Sequence, residues 1–325
     1  MPDASPAIET CELRKEYDGG RVAVESASLT VAPGEVFGFL GANGAGKTTF
    51  VKMLLGLVRP TRGSAALFGR STRHPAARVA VGYQPEQFRF PEWMTGAEVL
   101  AFHARLSGMG TGGRPNAVSN ALERVGLGGR GRDRVSTYSK GMQQRLALAQ
   151  ALVARPHLVI LDEPTSALDP IGRRDVREVI ASLRDDGITV FLNSHLLSEV
   201  ELICDRVAIL HQGSVVREGR LSELLQATTE LHLTVDVVTE PLLAALRPFA
   251  RSIRANGRSL DIELASPDAV PAIARATQAA GAELWELRPR QTTLEDVFIG
   301  VVRPPESSML PDATTNDENR WSSEQ

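Results

Sequence analysis

Cysteine is nearly missing from this 325-residue chain: Cys11 and Cys204 stand far apart, both in apolar stretches, which excludes a disulfide framework and a cysteine metal site. No run reaches the roughly 18 uninterrupted apolar residues that a membrane span needs. The start, MPDASPAIETCELRK, carries acids and no basic segment before an apolar run, so it is not expected to be a secretory signal. Charge of one sign is also scarce, with a net value of −3, so neither nucleic acid nor anionic lipid is drawn in at long range. Aromatics make up 5%. Lysine occurs four times, as Lys15, Lys47, Lys52 and Lys140, in a chain that otherwise uses arginine as its cation. A codon bias explains the arginine, but at Lys47 a compact charge on a flexible stem does what a planar fork cannot. What remains is an ordinary soluble composition, 42% hydrophobic and 23% charged, long enough for one large domain and a small one. There is no internal repeat.

Residues 8–13, 22–31 and 36–40 read as strands separated by the turns Asp18-Gly19-Gly20 and Pro33-Gly34. A helix follows over 48–57. From Gly96 to about Val153 the period is helical, broken by glycine-rich stretches at 108–113 and 126–131. Leu158 to Leu161 is continuously apolar, as in a parallel strand covered on both faces, and 190–193 and 207–211 are further strands. Strands alternating with helices imply an α/β core with a parallel sheet and a helical insertion. After about Ala227 the order becomes β-α-β-β-α-β, which suits a ferredoxin-like unit. Its hairpin is expected to pivot on Asn256-Gly257 in a type I′ turn. Ser266-Pro267-Asp268 is expected to cap its second helix, and Thr293 with Asp296 to open a last helix through Val301. The expected division is 1–227, with a helical subdomain at about 87–153, then 228–301, then a disordered tail at 302–325.

The chemistry gathers in two places. Gly41-Ala42-Asn43-Gly44-Ala45-Gly46-Lys47-Thr48 has the spacing of a phosphate-binding loop between an apolar strand and a helix. Glycines let successive amide N–H groups turn inward and form an anion cradle at the positive end of the helix. Lys47 would reach the outer phosphates and Thr48 would ligate Mg²⁺, with Thr49 next in line. Asp162 and Glu163 end the strand that starts at Leu158. At that edge of an open sheet Asp162 can hold Mg²⁺ and Glu163 can polarise an attacking water. An Asp-Glu pair alone is common in surface turns; the loop upstream gives it weight.

Here the sequence resembles the ABC ATPases over about residues 7–227. Tyr138-Ser139-Lys140-Gly141-Met142-Gln143-Gln144-Arg145 looks like their signature sequence, His195 like their switch histidine, and Ser166-Ala167-Leu168-Asp169 like the loop that communicates between paired subunits. Tyr17 matches their adenine-stacking aromatic. Taken singly, each has a bland structural reading; their order along the chain carries the resemblance. It implies a phosphate-loop NTPase core, ATP and Mg²⁺ as cofactors, and a head-to-tail dimer, either of this chain or with a paralogue. In that dimer Ser139, Lys140 and Gly141 of one copy would cover the ATP on the other.

The signature departs from the usual pattern, with Tyr138 at its head and Lys140 and Met142 where Gly and Gln are usual. At the place of the Mg²⁺-sensing glutamine stands Glu86; either it substitutes as an oxygen ligand or Gln84 or Gln87 serves. Phe88, Phe90 and Trp93 form either a partner surface or the insertion's own core. The 228–301 module resembles the extension on ATPase subunits of ABC-2-type exporters. The expectation is an ATP-hydrolysing subunit on the inner face of the cell membrane. It would power a separate transmembrane permease that exports a drug, lipid, glycan or similar molecule. The alternative is a soluble ATPase of the same fold that remodels ribosomes or DNA.

Overall fold

A computed structural model describes residues 5–166, 168–225, 230–290 and 293–302; all but the first residue of the tail expected at 302–325 lies outside them. In chain order the strands and helices are β1 (Ile8–Tyr17), β2 (Arg21–Val31), β3 (Val36–Leu40), α1 (Lys47–Leu54), β4 (Arg62–Leu67), β5 (Arg70–Ser71), β6 (Val81–Gln84), α2 (Gly96–Leu106), α3 (Arg114–Arg124) and α4 (Lys140–Leu152). Then come β7 (Leu158–Asp162), α5 (Pro170–Asp185), β8 (Thr189–Ser194), α6 (Leu197–Ile203), β9 (Arg206–His211), β10 (Ser214–Arg220) and α7 (Leu221–Leu225). The last part holds β11 (Glu230–Val235), α8 (Glu240–Leu246), β12 (Ala250–Asn256), β13 (Ser259–Leu264), α9 (Val270–Ala279), β14 (Leu284–Arg290) and α10 (Leu294–Val302).

The large sheet runs β5-β4-β1-β2-β10-β9-β3-β8-β7-β6. Its β9-β3-β8-β7-β6 part is parallel, and every residue of β3, β7 and β8 is buried, as expected where both faces are covered. On one face Phe39 and Phe50 stack at 4.6 Å between ring centroids, beside Phe37 and Phe191. On the other, α4, α5 and the helical insertion cover the sheet through Leu146, Ile180 and Leu183. Register sets the site: Leu40 pairs with Ser194 and Asp162 with Asn193, so three neighbouring parallel strands end at one edge.

The insertion's first helix is fixed by a reciprocal capping box, in which Thr95 accepts from the Glu98 amide and Glu98 accepts from that of Thr95. In the small unit the strand order β12-β13-β11-β14, all neighbours antiparallel, is that of a ferredoxin-like sheet, with α8 and α9 over one face. Two local expectations shift. Asn256 pairs with Ser259, so Gly257 and Arg258 are the turn's central residues, and only Gly257 has positive φ, the type II′ pattern in place of I′. Ser266 makes no side-chain cap: a 3₁₀ turn over Pro267–Ala269 comes first and α9 starts at Val270, because Pro271 lacks an N–H and belongs in a first turn. The cap by Thr293 and Asp296 forms as read. The helix it opens, however, packs on α6 and α7, and Leu294 is fully buried in the ATPase-side core. The boundary at 228–301 therefore encloses a helix whose apolar face belongs to the larger unit.

Candidate active site

The loop between β3 and α1 owes its shape to its glycines. Gly44 has φ 83° and Gly46 φ 110°, and a Cβ on Gly46 would lie 2.1 Å from the Ala23 carbonyl oxygen. Only glycine fits there. Gly41 is as tight, its Cβ position being 2.5 Å from the Leu210 carbonyl oxygen. The Lys47 ammonium, nearly buried, donates to the carbonyl oxygens of Gly41 at 2.7 Å and Ala42 at 3.3 Å. Burial pulls its pKa down, while Glu163, Asp162 and Glu86 act in the other direction.

Facing the loop, Asp162 accepts a hydrogen bond from Asn193. Burial raises its pKa; the Asn193 bond opposes this, and the nearby Glu86 and Glu163 charges add to it. Tyr83, next to these acids, is pushed up to about 12, mainly by burial. Glu163, one residue past β7, has φ 52°, an unusual backbone for a side chain of its size. It is buried, its carboxylate accepting from His195 Nδ1 at 2.8 Å, with the Ser194 hydroxyl at 3.5 Å. His195 itself is about half exposed.

These groups line one open cavity of about 260 Å³, whose wall includes Asn43, Gly44, Gly46, Lys47, Thr48, Thr49, Glu86, Asp162, Glu163, Asn193 and His195. Of the three residues considered for the glutamine position, Glu86 is in the wall. Gln84 is fully buried at the end of β6 with neither amide atom partnered in the protein, and Gln87 is exposed and outside the lining. Sequence reading missed Asn193. Its Oδ1 is buried without a protein partner, a state that costs about 1–3 kcal/mol. The available signal was its place, two residues before His195 on the strand beside Asp162. Arg21, Val22 and Ala23 also line the cavity and were not singled out.

Other expected residues lie elsewhere in the chain. Ser139, Lys140 and Gly141 start α4, where the Ser139 hydroxyl accepts from the Met142 amide at 3.2 Å; Ser139 and Lys140 are exposed. Asp169 caps α5 by accepting from the Gly172 amide at 2.8 Å. Tyr17 is partly exposed with the Lys15 ammonium 4.9 Å from its ring centre. None of these lines the cavity. Gln144 ties α4 to the loop after β7 by donating to the Pro164 carbonyl at 2.9 Å. Phe90 packs against the buried core that the insertion shares with the sheet, whereas Trp93 is 75% exposed.

An anion cradle, a lysine at its mouth and two carboxylates at the edge of a parallel sheet define a phosphate-loop ATPase. Comparison with known proteins narrows this. The ABC transporter family profile matches residues 24–166. The chain is 35% identical over 307 residues to the Nod factor export ATP-binding protein I of Bradyrhizobium diazoefficiens, covering 92% of this chain and 97% of that protein. It is 32% identical over 305 residues to the linearmycin resistance ATP-binding protein of Bacillus subtilis, covering 90% and 97%. A solved structure of an ATP-binding subunit of an ABC transporter superposes with a TM-score of 0.62 at 29% identity, over 67% of this chain and 91% of that one. The chain belongs to the ABC transporter ATP-binding proteins, and it is an ATP-hydrolysing subunit of that family.

Proposed function

We propose that this chain drives export of a drug, lipid, glycan or similar molecule through a separate transmembrane permease, working as a pair of ATPase units on the inner face of the cell membrane. The observation that carries export is the reach of the similarity. The match to relatives named for Nod factor export and linearmycin resistance extends through the ferredoxin-like unit, beyond the ATPase core. Among the described residues no helix is long and apolar enough to cross a membrane, which agrees with a permease on another chain.

In this reading the amides around Gly44 and Gly46 and the Lys47 ammonium hold the ATP phosphates, and Tyr17 stacks on the adenine. The hydroxyl of Thr48 and the carboxylates of Asp162 and Glu86 are hard oxygen donors that fit Mg²⁺, which, when bound, would neutralise charge on the outer phosphates. Glu163 takes the proton of the attacking water, and His195, bonded to it, orients that carboxylate. Ser139 and Lys140, both exposed, and Gly141, all outside their own chain's cavity, seal the site of a second copy, with Asp169 at the same interface. Trp93 offers an exposed aromatic to the permease.

Inside-out vesicles carrying the chain and its membrane partner test this. ATP-dependent uptake should vanish with Lys47→Ala, and uptake that persists with that variant would refute the proposal.

A further inference from the structure

We infer that α10, though it follows the ferredoxin-like unit in sequence, holds the His195 side chain in its working position through α6, with Glu201 and Leu294 as the positioning residues. The inference rests on the assignment of ATP hydrolysis to the Glu163 and His195 site.

His195 is separated from the start of α6 by a single residue. At seven residues α6 is too short to hold itself together, since isolated helices below about 12–15 residues are marginal. Its N-terminus has no side-chain cap from Leu196; just before it the Ser194 hydroxyl accepts from the Leu196 amide at 3.1 Å. Its placement is therefore decided by what packs on it. Toward the core, Val200 is fully buried, and toward α5, Glu199 accepts from Arg177 at 2.7 Å. A further side meets α10, which touches α6 and α7, while Ser198 and Leu202 stay exposed.

That contact is specific. The Glu201 carboxylate accepts from the Leu294 amide at 3.0 Å, placing a negative charge on the positive end of α10. Leu294 is fully buried in the same core as Val200 and Cys204, with Val297 and Phe298 packed against it. Thr293 and Asp296 cap the start of α10. About sixty described residues of the ferredoxin-like unit lie between α7 and α10, and the chain returns to the helix beside His195. On its other side the His195 ring is tied to the Glu163 carboxylate by the 2.8 Å bond. A shift of α6 therefore acts on the orientation of the base.

The test compares Glu201→Gln and Leu294→Ala in the full chain, each alone and combined with His195→Ala. ATP hydrolysis and ATP affinity are measured, and the His195 imidazole resonances are followed by NMR without nucleotide. Each variant should lower kcat about 3–10-fold with ATP affinity within twofold of the parent. Neither should lower the residual rate further once His195 is alanine, and both should shift the His195 resonances. Equal losses with and without His195, losses of affinity that match those of rate, or unmoved His195 resonances would each overturn the inference. Should the parent chain bind no ATP at all, the assignment of the site fails instead. If the isolated chain binds ATP without turning it over, the resonances decide.

Discussion

Glu163 combines a left-handed backbone, burial and a bond to His195, and none of these shows in the sequence, which gives only its place after an apolar strand. Glu163→Gln keeps the shape and removes the base, so hydrolysis measured by phosphate release should fall about 10²–10⁴-fold while ATP affinity is retained. The pKa of Asp162 is raised by burial. A carboxylic acid whose folded pKa lies above the unfolded one is harder to ionise in the fold, so this group lowers stability as pH rises from the unfolded value through the folded one. Asp162→Asn should therefore melt higher than the parent at neutral pH without nucleotide, and the gap should close below the unfolded carboxylate pKa. A neutral-pH melting point equal to or below the parent's would contradict that. At Gly46 an alanine would meet the Ala23 carbonyl at 2.1 Å, so Gly46→Ala should lose nucleotide binding and stability together, by calorimetry and thermal melting. The loop, Asp162 and Glu163 were legible because each motif is contiguous and its chemistry is local. Asn193 was not, since its role comes from the pairing of two strands about thirty residues apart, and a plain asparagine inside an apolar strand gives no signal by type.

Elements were legible where periodicity and caps agree. β3 has the bounds read from its apolar run, and the helices of the insertion fall between the glycine breaks. The shifted hairpin turn and the delayed start of α9 show the limit: both depend on register and on one proline, which tertiary pairing settles. The packing of α10 on the larger unit was also hidden, because an amphipathic helix shows which face is apolar and not what will cover it. At this scale Thr95→Ala removes the side-chain acceptor of the capping box on α2 and should cost about 1 kcal/mol in denaturant unfolding. ATP affinity should stay unchanged, as Thr95 does not line the cavity.

For the molecule as a whole, the cavity is built by one chain and its expected lid is not. Loop, carboxylates and histidine converge at one edge of the parallel sheet, while Ser139 and Gly141 stand at the tip of α4 outside that cavity. ATP can then work as the bond between two copies, since donors from both sides of a closed interface act only when the copies have met. Sedimentation of Glu163→Gln with Mg²⁺ and ATP tests this most directly. The account gives a dimer that forms with ATP, is absent with ADP, and is lost when Ser139→Arg is added. A chain that binds ATP at saturation and still sediments as a monomer would contradict it.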